Sequence, residues 1–294
     1  MSPSRTWPRI ALVTPVFNSG EYIEATIQSI LSQEYPNLDY FIVDGGSTDR
    51  TVEVIRKYEG QIAGWVSEPD KGMYDALNKG FARTTGEVMG WISATDVLQP
   101  GGLKAVGGVF RDLGDVEWIT GKPTWIDESG KTTEVGAIPE WSRRLFLAGY
   151  NRYIQQESTY WRRSLWEKAG GYIDASRRMC SDFELWVRFF RHATLYSVDA
   201  RIGGFRSHEA SLGLQNLEEC HRIHDEIVEA ELERTPGGGG LKVWRALNRG
   251  VKKVPGVRYA WWRMVEQPFM KKQSTDRAAV IEYRGGVTGK WCLR

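Results

Sequence analysis

The sequence predicts an α/β fold built on a mostly parallel β-sheet. Over the first hundred residues, short apolar runs alternate with stretches in which apolar residues recur at helical spacing. Strands separated by helices of this length are joined by right-handed crossovers, which make the strands parallel. Polar clusters follow these runs, and ligands of open α/β sheets bind outside the carboxyl ends of the strands.

Each element has its own pattern along the chain. Four apolar runs are expected to form strands: Arg9–Val13, Tyr40–Val43, Gly64–Ser67 and Val88–Ile92. The helices between them have inward positions at Ile23, Ile27, Ile30 and Leu31, then at Val52 and Ile55, then at Met73, Leu77 and Phe81. Residues 116–204 are less regular, and the run Gly237–Gly240 is the clearest linker.

The composition excludes several classes of protein. With 294 residues, 41% hydrophobic and 26% charged, the chain is long enough to bury a substantial core. No stretch reaches the roughly 18 consecutive apolar residues of a membrane-spanning helix. The N-terminus lacks the apolar segment of a secretory signal, and three widely spaced cysteines do not suggest a disulfide framework or a zinc site. We therefore expect a protein of the reducing cytoplasm.

The formal net charge of +2 is unevenly distributed. Residues 241–272 carry nine Lys or Arg side chains against Glu266 alone, so that residues 1–240 are net acidic. Apolar residues recur in this segment at spacings of three and four: Leu241, Trp244, Leu247, Val251 and Val254. A basic amphipathic helix of this kind binds an anionic membrane surface. The alternative is that its apolar stripe packs on the acidic body, and nucleic acid is disfavoured because no recognition motif accompanies the charge.

The segment Thr14-Pro15-Val16-Phe17-Asn18 follows the first predicted strand. It lacks the GxGxxG pattern of a dinucleotide-binding turn, so that NAD and FAD are poor candidates. An aromatic ring beside hydroxyl and amide side chains suits packing against a nucleotide base. A plain turn is the alternative.

Acidic and amide side chains follow the next two strands. Asp44, beside two glycines that allow close approach of a ligand, suits a ribose hydroxyl or a uracil N–H, with a plain turn as the alternative. After Asp70, the residues Lys71, Asp75 and Asn78 share one face of the third helix. That face would meet a diphosphate or a sugar, or else be solvated.

Two further carboxylates are candidates for the chemistry. Asp96 follows the fourth strand, where a carboxylate can hold a divalent cation, and His208 is a candidate second ligand. Asp182 begins a helix, and its neighbours Ser181 and Glu184 fit a capping box, which leaves Asp182 free to face the cleft. The alternative is that Asp182 only complements the helix dipole.

The sequence resembles the family 2 glycosyltransferases of the GT-A fold over about residues 9–211. Six segments occur in the family's order: TPVFNSGEYIEATIQSILSQ, FIVDGGSTDRTVEVI, EPDKGMYDALNKGFARTTGEVMGWI, YWRRSLWEKAGGY, SDFELWVR and FRSH. The similarity is greatest to bacterial enzymes of cell-surface polysaccharide assembly. It implies a GT-A catalytic domain over residues 1–213 and a helical extension over 214–294 that contains the basic segment 241–272.

The resemblance also implies roles for individual residues. The implied contacts with the base, the ribose, the phosphates or the donor sugar are Thr14, Pro15, Phe17, Asp44, Asp70, Lys71, Asn78 and Thr95. Asp96 and His208 would hold Mg²⁺ or Mn²⁺, and Asp182 would be the catalytic base. Gln156 and Glu157 would lie on the acceptor side. Relatives commonly have Asp where this chain has Thr95, which predicts an altered donor contact there.

The implied activity is an inverting transfer from a nucleotide-diphosphate sugar, with a UDP-sugar as the expected donor. A glycan or lipid-linked acceptor in surface polysaccharide synthesis would be glycosylated at the inner face of the cell membrane. Two alternatives remain open. One is a degenerate transferase that binds a nucleotide sugar or scaffolds a complex, which Thr95 favours. The other is a sugar-1-phosphate nucleotidyltransferase, which would need a basic, glycine-rich loop after the first strand. The segment TPVFNSG at that place has no Lys or Arg, which argues against this alternative.

Overall fold

The computed structural model describes residues 6–207, 216–252, 258–272, 278–285 and 289–294. The strands within these ranges are β1 (Ile10–Val16), β2 (Leu38–Asp44), β3 (Gly64–Ser67), β4 (Val88–Trp91), β5 (Val97–Leu98), β6 (Trp118–Thr120), β7 (Thr124–Ile126), β8 (Thr132–Val135), β9 (Thr159–Arg162), β10 (Leu195–Val198), β11 (Gly203–Arg206), β12 (Val280–Arg284) and β13 (Lys290–Leu293).

The helices in the same ranges are α1 (Ile23–Leu31), α2 (Thr51–Arg56), α3 (Met73–Ala82), α4 (Gly102–Asp112), α5 (Arg143–Ala148), α6 (Arg163–Lys168), α7 (Ser181–Phe189), α8 (Leu217–Arg234), α9 (Gly238–Lys252), α10 (Arg258–Trp261) and α11 (Gln267–Lys272). A single turn, Gln156–Ser158, precedes β9. None of the described helices is long and apolar enough to cross a bilayer.

The main sheet has the strand order β13-β12-β10-β6-β9-β4-β1-β2-β3 over the described residues. Its strands are parallel except at β9, which runs antiparallel to both β4 and β6, and at β13, which runs antiparallel to β12. Alternate residues of β1 enter different cores: Ala11 and Val13 pack on one face, Ile10 and Leu12 on the other. Both faces are therefore covered by helices, and the predicted α/β fold with a mostly parallel sheet is confirmed.

β1 continues two residues beyond Thr14, where the sequence predicted that it would stop. Proline has no N–H to donate to a neighbouring strand. At Pro15 the missing N–H breaks no hydrogen bond of the sheet. β4 pairs with β1 only as far as Val13, whereas β2 continues to pair with β1 as far as Val16. Thr14 and Pro15 thus lie in a strand and not in the following turn.

A smaller sheet, β5-β11-β7-β8, lies beside the main one. β5 directly follows Asp96, and β11 ends at Arg206. Gly203 of β11 approaches the turn before β9 so closely that a Cβ there would lie 2.3 Å from the carbonyl oxygen of Glu157. The small sheet therefore covers one end of the main sheet at the position of the acidic residues described below.

The C-terminal part differs from the sequence prediction in three ways. The run Gly237–Gly240 is not a linker, because α9 begins at Gly238, only three residues after α8. Strands β12 and β13 lie within the predicted helical extension, and β12 pairs with β10 and extends the main sheet. The predicted apolar stripe is confirmed only in part: Leu241 is buried and Trp244 packs on the core, whereas Leu247 is exposed and Arg245 is buried. Val254 lies outside the described residues.

Acidic side chains on α8 explain the orientation of α9. Arg245 lies 2.5 Å from Asp225 and donates to the Leu147 carbonyl at 2.9 Å, and Arg249 also contacts Asp225, at 3.0 Å. Lys242 lies 3.1 Å from Glu233. Three of the nine basic residues of segment 241–272 therefore pair with acidic side chains of α8.

Candidate functional site

The loops after β1 and β2 are held together by hydrogen bonds. The Asn18 N–H donates to Ser47 Oγ at 2.7 Å, and Asn18 Oδ1 accepts from the Thr48 N–H at 2.9 Å. The Gly20 N–H donates to Asp49 Oδ2 at 2.9 Å. The two loops form one wall at the carboxyl edge of the sheet, from which the Phe17 side chain projects with 61% of its surface exposed.

Asp44 lies fully buried behind this wall. Its Oδ2 accepts from the N–H groups of Gly46 (3.2 Å) and Ser47 (3.0 Å) and from Ser67 Oγ (2.6 Å), while its Oδ1 accepts from Ser47 Oγ (2.5 Å). A carboxylate offers about four acceptor positions, two on each oxygen, so these bonds saturate Oδ2 and leave one position on Oδ1. Asp44 thus shapes the loop. Its contact with uracil or ribose, through Oδ1, stays a prediction.

Thr14 and Pro15 are also buried. The Tyr40 hydroxyl donates to Thr14 Oγ1 at 3.1 Å inside the core, and neither side chain reaches the exposed surface of the wall. Of the three residues implied to line a base pocket, Phe17 alone is exposed. The roles of Thr14 and Pro15 stay predictions, and their contribution would be to position the loop.

The loop between β3 and α3 forms the next part of the edge. Asp70 lies against the β2 loop, since a Cβ at Gly45 would be 2.7 Å from Asp70 Oδ2. Its Oδ1 accepts from the Gly72 N–H at 2.7 Å, and Lys71 is exposed beside it. Asn78 points elsewhere, because its side-chain amide exchanges two hydrogen bonds with the backbone of Ile173.

Asp96 is buried where the two sheets meet. Its Oδ1 accepts from the Arg206 N–H at 2.9 Å, and its Oδ2 accepts from Gln156 Nε2 at 3.2 Å. Burial raises the pKa of Asp96 to about 7, against the opposing effect of Arg206. Thr95 is half-buried, and its carbonyl oxygen accepts from Arg206 Nε at 2.5 Å.

Arg206 was not among the site residues predicted from the sequence. This side chain is only 1% exposed and ties the Thr95 carbonyl to the Asp127 and Glu128 carbonyls of the small sheet. Its guanidinium also lies 5.2 Å from the centre of the Tyr22 ring. An arginine within a short strand, next to an implied ligand at His208, was the available signal. Arg206 positions the Asp96 loop and supplies a positive charge beside it.

Gln156 and Glu157 both lie beside Asp96. Their predicted position on the acceptor side stays a prediction. Gln156 Nε2 contacts Ser93 Oγ at 3.3 Å as well as Asp96, so that it belongs to the Asp96 loop. Glu157 is 1% exposed. Burial, followed by the charges of Asp96 and Asp182, raises the pKa of Glu157 well above its usual range. We call Asp96, Glu157 and Asp182 the acidic cluster, because the charges of Asp96 and Asp182 both act on Glu157.

Asp182 is half-buried at the second position of α7. The predicted capping box is wrong: Ser181 Oγ donates to the Asp174 carbonyl at 2.7 Å, and Glu184 pairs with Arg188 at 2.8 Å. Asp182 Oδ1 instead accepts from the Tyr74 hydroxyl at 3.3 Å. Burial raises the pKa of Asp182, and the backbone N–H of Phe183 together with Tyr74 oppose that rise.

The chemistry of these side chains suits a divalent cation. Asp96 is a buried carboxylate, and Glu157 Oε1 has no hydrogen-bond partner among the described residues. Oxygen ligands of this kind are preferred by Mg²⁺ and Mn²⁺. His208 lies outside the described residues, and within them there is no group of three His, Cys, Asp or Glu side chains arranged for a metal. The Asp96–His208 pair therefore stays a prediction.

The family model for glycosyl transferase family 2 matches residues 11–170. The chain belongs to this family. An uncharacterized glycosyltransferase of Mycobacterium tuberculosis is 30% identical over 185 residues, which cover 62% of this chain and 68% of the relative. Another, from Rickettsia typhi, is 26% identical over 224 residues, covering 74% and 70%. The match confirms the predicted family and the transfer of a glycosyl group as the general activity.

Solved structures share the GT-A fold. The protein has a TM-score of 0.62 and 15% identity with residues 1–349 of S. aureus TarS in complex with UDP-GlcNAc, covering 88% of this chain and 77% of that one. A longer TarS structure is covered over 45% of its length. The mannosyltransferase PcManGT from Pyrobaculum calidifontis, in complex with GDP-Man and Mn²⁺, gives a TM-score of 0.56 at 15% identity, covering 92% and 87%.

We expect Arg206→Lys to destabilise the protein by about 2–3 kcal/mol, because one ammonium group cannot replace a buried guanidinium that bonds several carbonyls. Urea unfolding followed by circular dichroism measures the change. Arg222→Lys is the control, since Arg222 is an exposed side chain that, among the described residues, pairs with Glu219 and Glu226 on its own helix. Equal stability of the Arg206→Lys variant and the wild type would show that the Arg206 contacts are not required.

Proposed function

We propose that the protein transfers a sugar, with inversion, from a nucleotide-diphosphate donor to a hydroxyl of a glycan or lipid-linked acceptor. The observation that carries the proposal is the cluster of Asp96, Glu157 and Asp182 at the carboxyl edge of a family 2 fold. A UDP-sugar is the proposed donor, supported by the UDP-GlcNAc complex of TarS. Residues 1–213 would form the catalytic domain and residues 214–294 its extension.

Asp182 is the proposed general base. An inverting transfer needs a group on the acceptor side that removes the proton from the attacking hydroxyl. Asp182 is half-buried at the start of α7, and burial raises its pKa, which makes the ionised carboxylate a stronger base. Glu157 is unsuited to this role because it is almost fully buried. Its proposed place is beside the acceptor pocket, with Gln156.

The donor would lie along the β1–β3 side of the edge. Phe17 would contact the base, Asp44 would hold the loop around it, and Asp70 and Lys71 would lie near the phosphates. Asp96 and His208 would hold Mg²⁺ or Mn²⁺, which neutralises the charge of the departing diphosphate. PcManGT in complex with GDP-Man and Mn²⁺ supports this use of a metal.

A degenerate, non-catalytic protein was the main alternative, on the basis of Thr95. The structure weakens that argument, because Thr95 contributes its carbonyl oxygen to Arg206, and any residue supplies a carbonyl oxygen. The Thr95 side chain is half-buried and available to the donor sugar. An altered donor preference is therefore the better explanation of this position.

Asp182→Asn should reduce turnover by a factor on the order of 10² or more, because the amide cannot accept the proton. Donor binding should be nearly unchanged. Release of UDP from a panel of UDP-sugars, with a polysaccharide extract as acceptor, measures the rate. Asp115→Asn is the matched control, since Asp115 is exposed in the loop before β6, at the opposite edge of the sheet. Near-normal turnover of the Asp182→Asn variant would move the base to another residue.

Asp96→Asn and His208→Ala should each weaken UDP binding in the presence of Mn²⁺ and leave metal-free binding nearly unchanged. The asparagine substitution is tolerable because Gln156 Oε1, which lacks a partner in the described structure, can turn to accept from the new amide. Calorimetric titration with UDP, with Mn²⁺ or with EDTA, measures the effect. If EDTA changes neither binding nor activity, cationic side chains must neutralise the leaving group instead.

We also propose that the extension attaches the protein to the inner face of the cell membrane, where a lipid-linked acceptor in surface polysaccharide synthesis would be found. The surface that supports this differs from the predicted stripe. Val243 and Leu247 of α9 are exposed, and so are Trp262 and Met264 in the π-helical segment Trp262–Glu266 between α10 and α11. Arg263 is exposed between the last two. Apolar side chains beside basic ones are typical of an interfacial segment.

Val243→Glu/Leu247→Glu should reduce co-sedimentation with phosphatidylglycerol liposomes, because it replaces apolar side chains with charges that anionic lipid repels. Both positions face solvent, so the fold should tolerate the change. Leu293→Glu is the control, an exposed leucine on the edge strand β13. Equal sedimentation of both variants and the wild type, or no sedimentation of any of them, would reject a membrane-binding surface on α9.

A further inference from the structure

Helix α3 connects the donor side of the site to the segment that carries Asp182. It begins at Met73, directly after the Asp70–Gly72 loop. Tyr74 and Asn78 lie four residues apart and therefore on the same face of the helix. Both side chains contact the chain between Ile173 and Asp182, more than ninety residues away in sequence.

Asn78 fixes the beginning of this segment. Its Nδ2 donates to the Ile173 carbonyl at 2.8 Å, and its Oδ1 accepts from the Ile173 N–H at the same distance. The Ile173 side chain is buried in the core cluster that contains Leu77 and Phe81 of α3. The segment that precedes α7 is thus held on α3 by two hydrogen bonds between the Asn78 side chain and the Ile173 backbone, and by packing.

Tyr74 reaches the other end of the segment. Its side chain is 5% exposed and packs in the same core, and its hydroxyl donates to Asp182 Oδ1 at 3.3 Å. Burial and the charge of Asp182 raise the pKa of Tyr74 well above its usual range, so that it remains a donor. The Tyr74 hydroxyl therefore stays protonated, and can donate its hydrogen bond to the Asp182 carboxylate, at any pH at which an enzyme is assayed.

We propose that Tyr74 and Asn78 are positioning residues that orient Asp182 and favour its ionised form. The proposal rests on the role of Asp182 as general base. It assigns to α3 the coupling between the donor loop and the base, and it gives Asn78 a contact with the protein in place of the nucleotide contact implied by the family resemblance. The Tyr74 ring anchors the position, and its hydroxyl acts on the charge.

Three titratable side chains face Asp182 in the described structure. Tyr74 approaches from α3, Glu157 from the turn before β9, and Cys180 from the residue before α7. A charge on Glu157 would repel the charge on Asp182, and burial raises the pKa of Cys180, so its thiol stays neutral. Tyr74 is thus the side-chain donor that stabilises ionised Asp182 in this part of the protein.

The direct test measures the pKa of Asp182 by ¹³C NMR on full-length protein labelled at the Asp carboxyl carbons, with the resonance assigned through Asp182→Asn. In Tyr74→Phe, which keeps the ring and loses the donor, the pKa should rise by about 0.5–1. Tyr58→Phe is the matched control, since the Tyr58 hydroxyl donates to Glu24 at 3.0 Å away from the site. An unchanged pKa in a folded Tyr74→Phe variant would overturn the proposal.

Kinetics separate orientation from folding. UDP-GlcNAc is the first probe, followed by other UDP- and GDP-sugars. In Tyr74→Phe the acidic limb of the kcat/KM profile should move to higher pH by the increment that NMR measures for the pKa of Asp182. At a pH above the Asp182 pKa of both the wild type and the variant, the kcat of Tyr74→Phe should return to within about twofold of wild type. A loss of rate that is equal at every pH would indicate a merely structural role and contradict the proposal.

Asn78→Asp supplies a second variant that keeps the acceptor for the Ile173 N–H and loses the donor to its carbonyl. It should lower kcat several-fold and leave the donor KM unchanged. A raised donor KM with normal kcat would instead show that Asn78 contacts the nucleotide. If wild-type protein turns over no donor, the proposed function fails, whereas the NMR titration still decides whether Tyr74 acts on Asp182.

Discussion

The reversed direction of β9 is the constraint on which the site depends. In a wholly parallel sheet, the chain would enter β9 from the opposite edge. Because β9 is antiparallel to β4 and β6, its first residues lie at the carboxyl ends of those strands. Glu157 is thereby buried beside Asp96, and their shared burial raises the pKa of both. Keeping carboxylates so close requires compensation, which Arg206 supplies in part and a cation would complete.

A rigid aromatic core keeps this arrangement in place. Trp91 of β4, Trp161 of β9 and Trp186 of α7 are all fully buried, and the rings of Trp91 and Trp186 stack with centroids 5.6 Å apart. The stack fixes α7 on the sheet and therefore fixes where its first turn, with Asp182, emerges. Contacts from α3 then complete the alignment. The acidic cluster is thus set by the core, while the β1–β2 side of the edge is built from loops that bond to one another.

The sequence predicted the parts of the molecule that follow from local patterns. The first four strands and the site at their carboxyl edge come from apolar periodicity and from polar residues after each strand. The roles of Arg206 and Tyr74 could not be predicted because their partners are distant in sequence. Arg206 donates a hydrogen bond to the Thr95 carbonyl, and the Tyr74 hydroxyl donates one to Asp182. The tail was misread because periodicity assigns every arginine to the surface, whereas Arg245 is buried by its pairing with Asp225.

We propose that a nucleotide-diphosphate sugar binds between the β1–β2 loops and the acidic cluster. A crystal structure of the protein soaked with UDP and Mn²⁺ would test this placement, because the anomalous signal locates the metal without assumptions about the ligand. We expect a single Mn²⁺ at Asp96, with the uracil ring against Phe17. Binding of UDP elsewhere, for example in the cavity of about 710 Å³ lined by Trp141, Arg143 and Arg191, with no metal at Asp96, would contradict it.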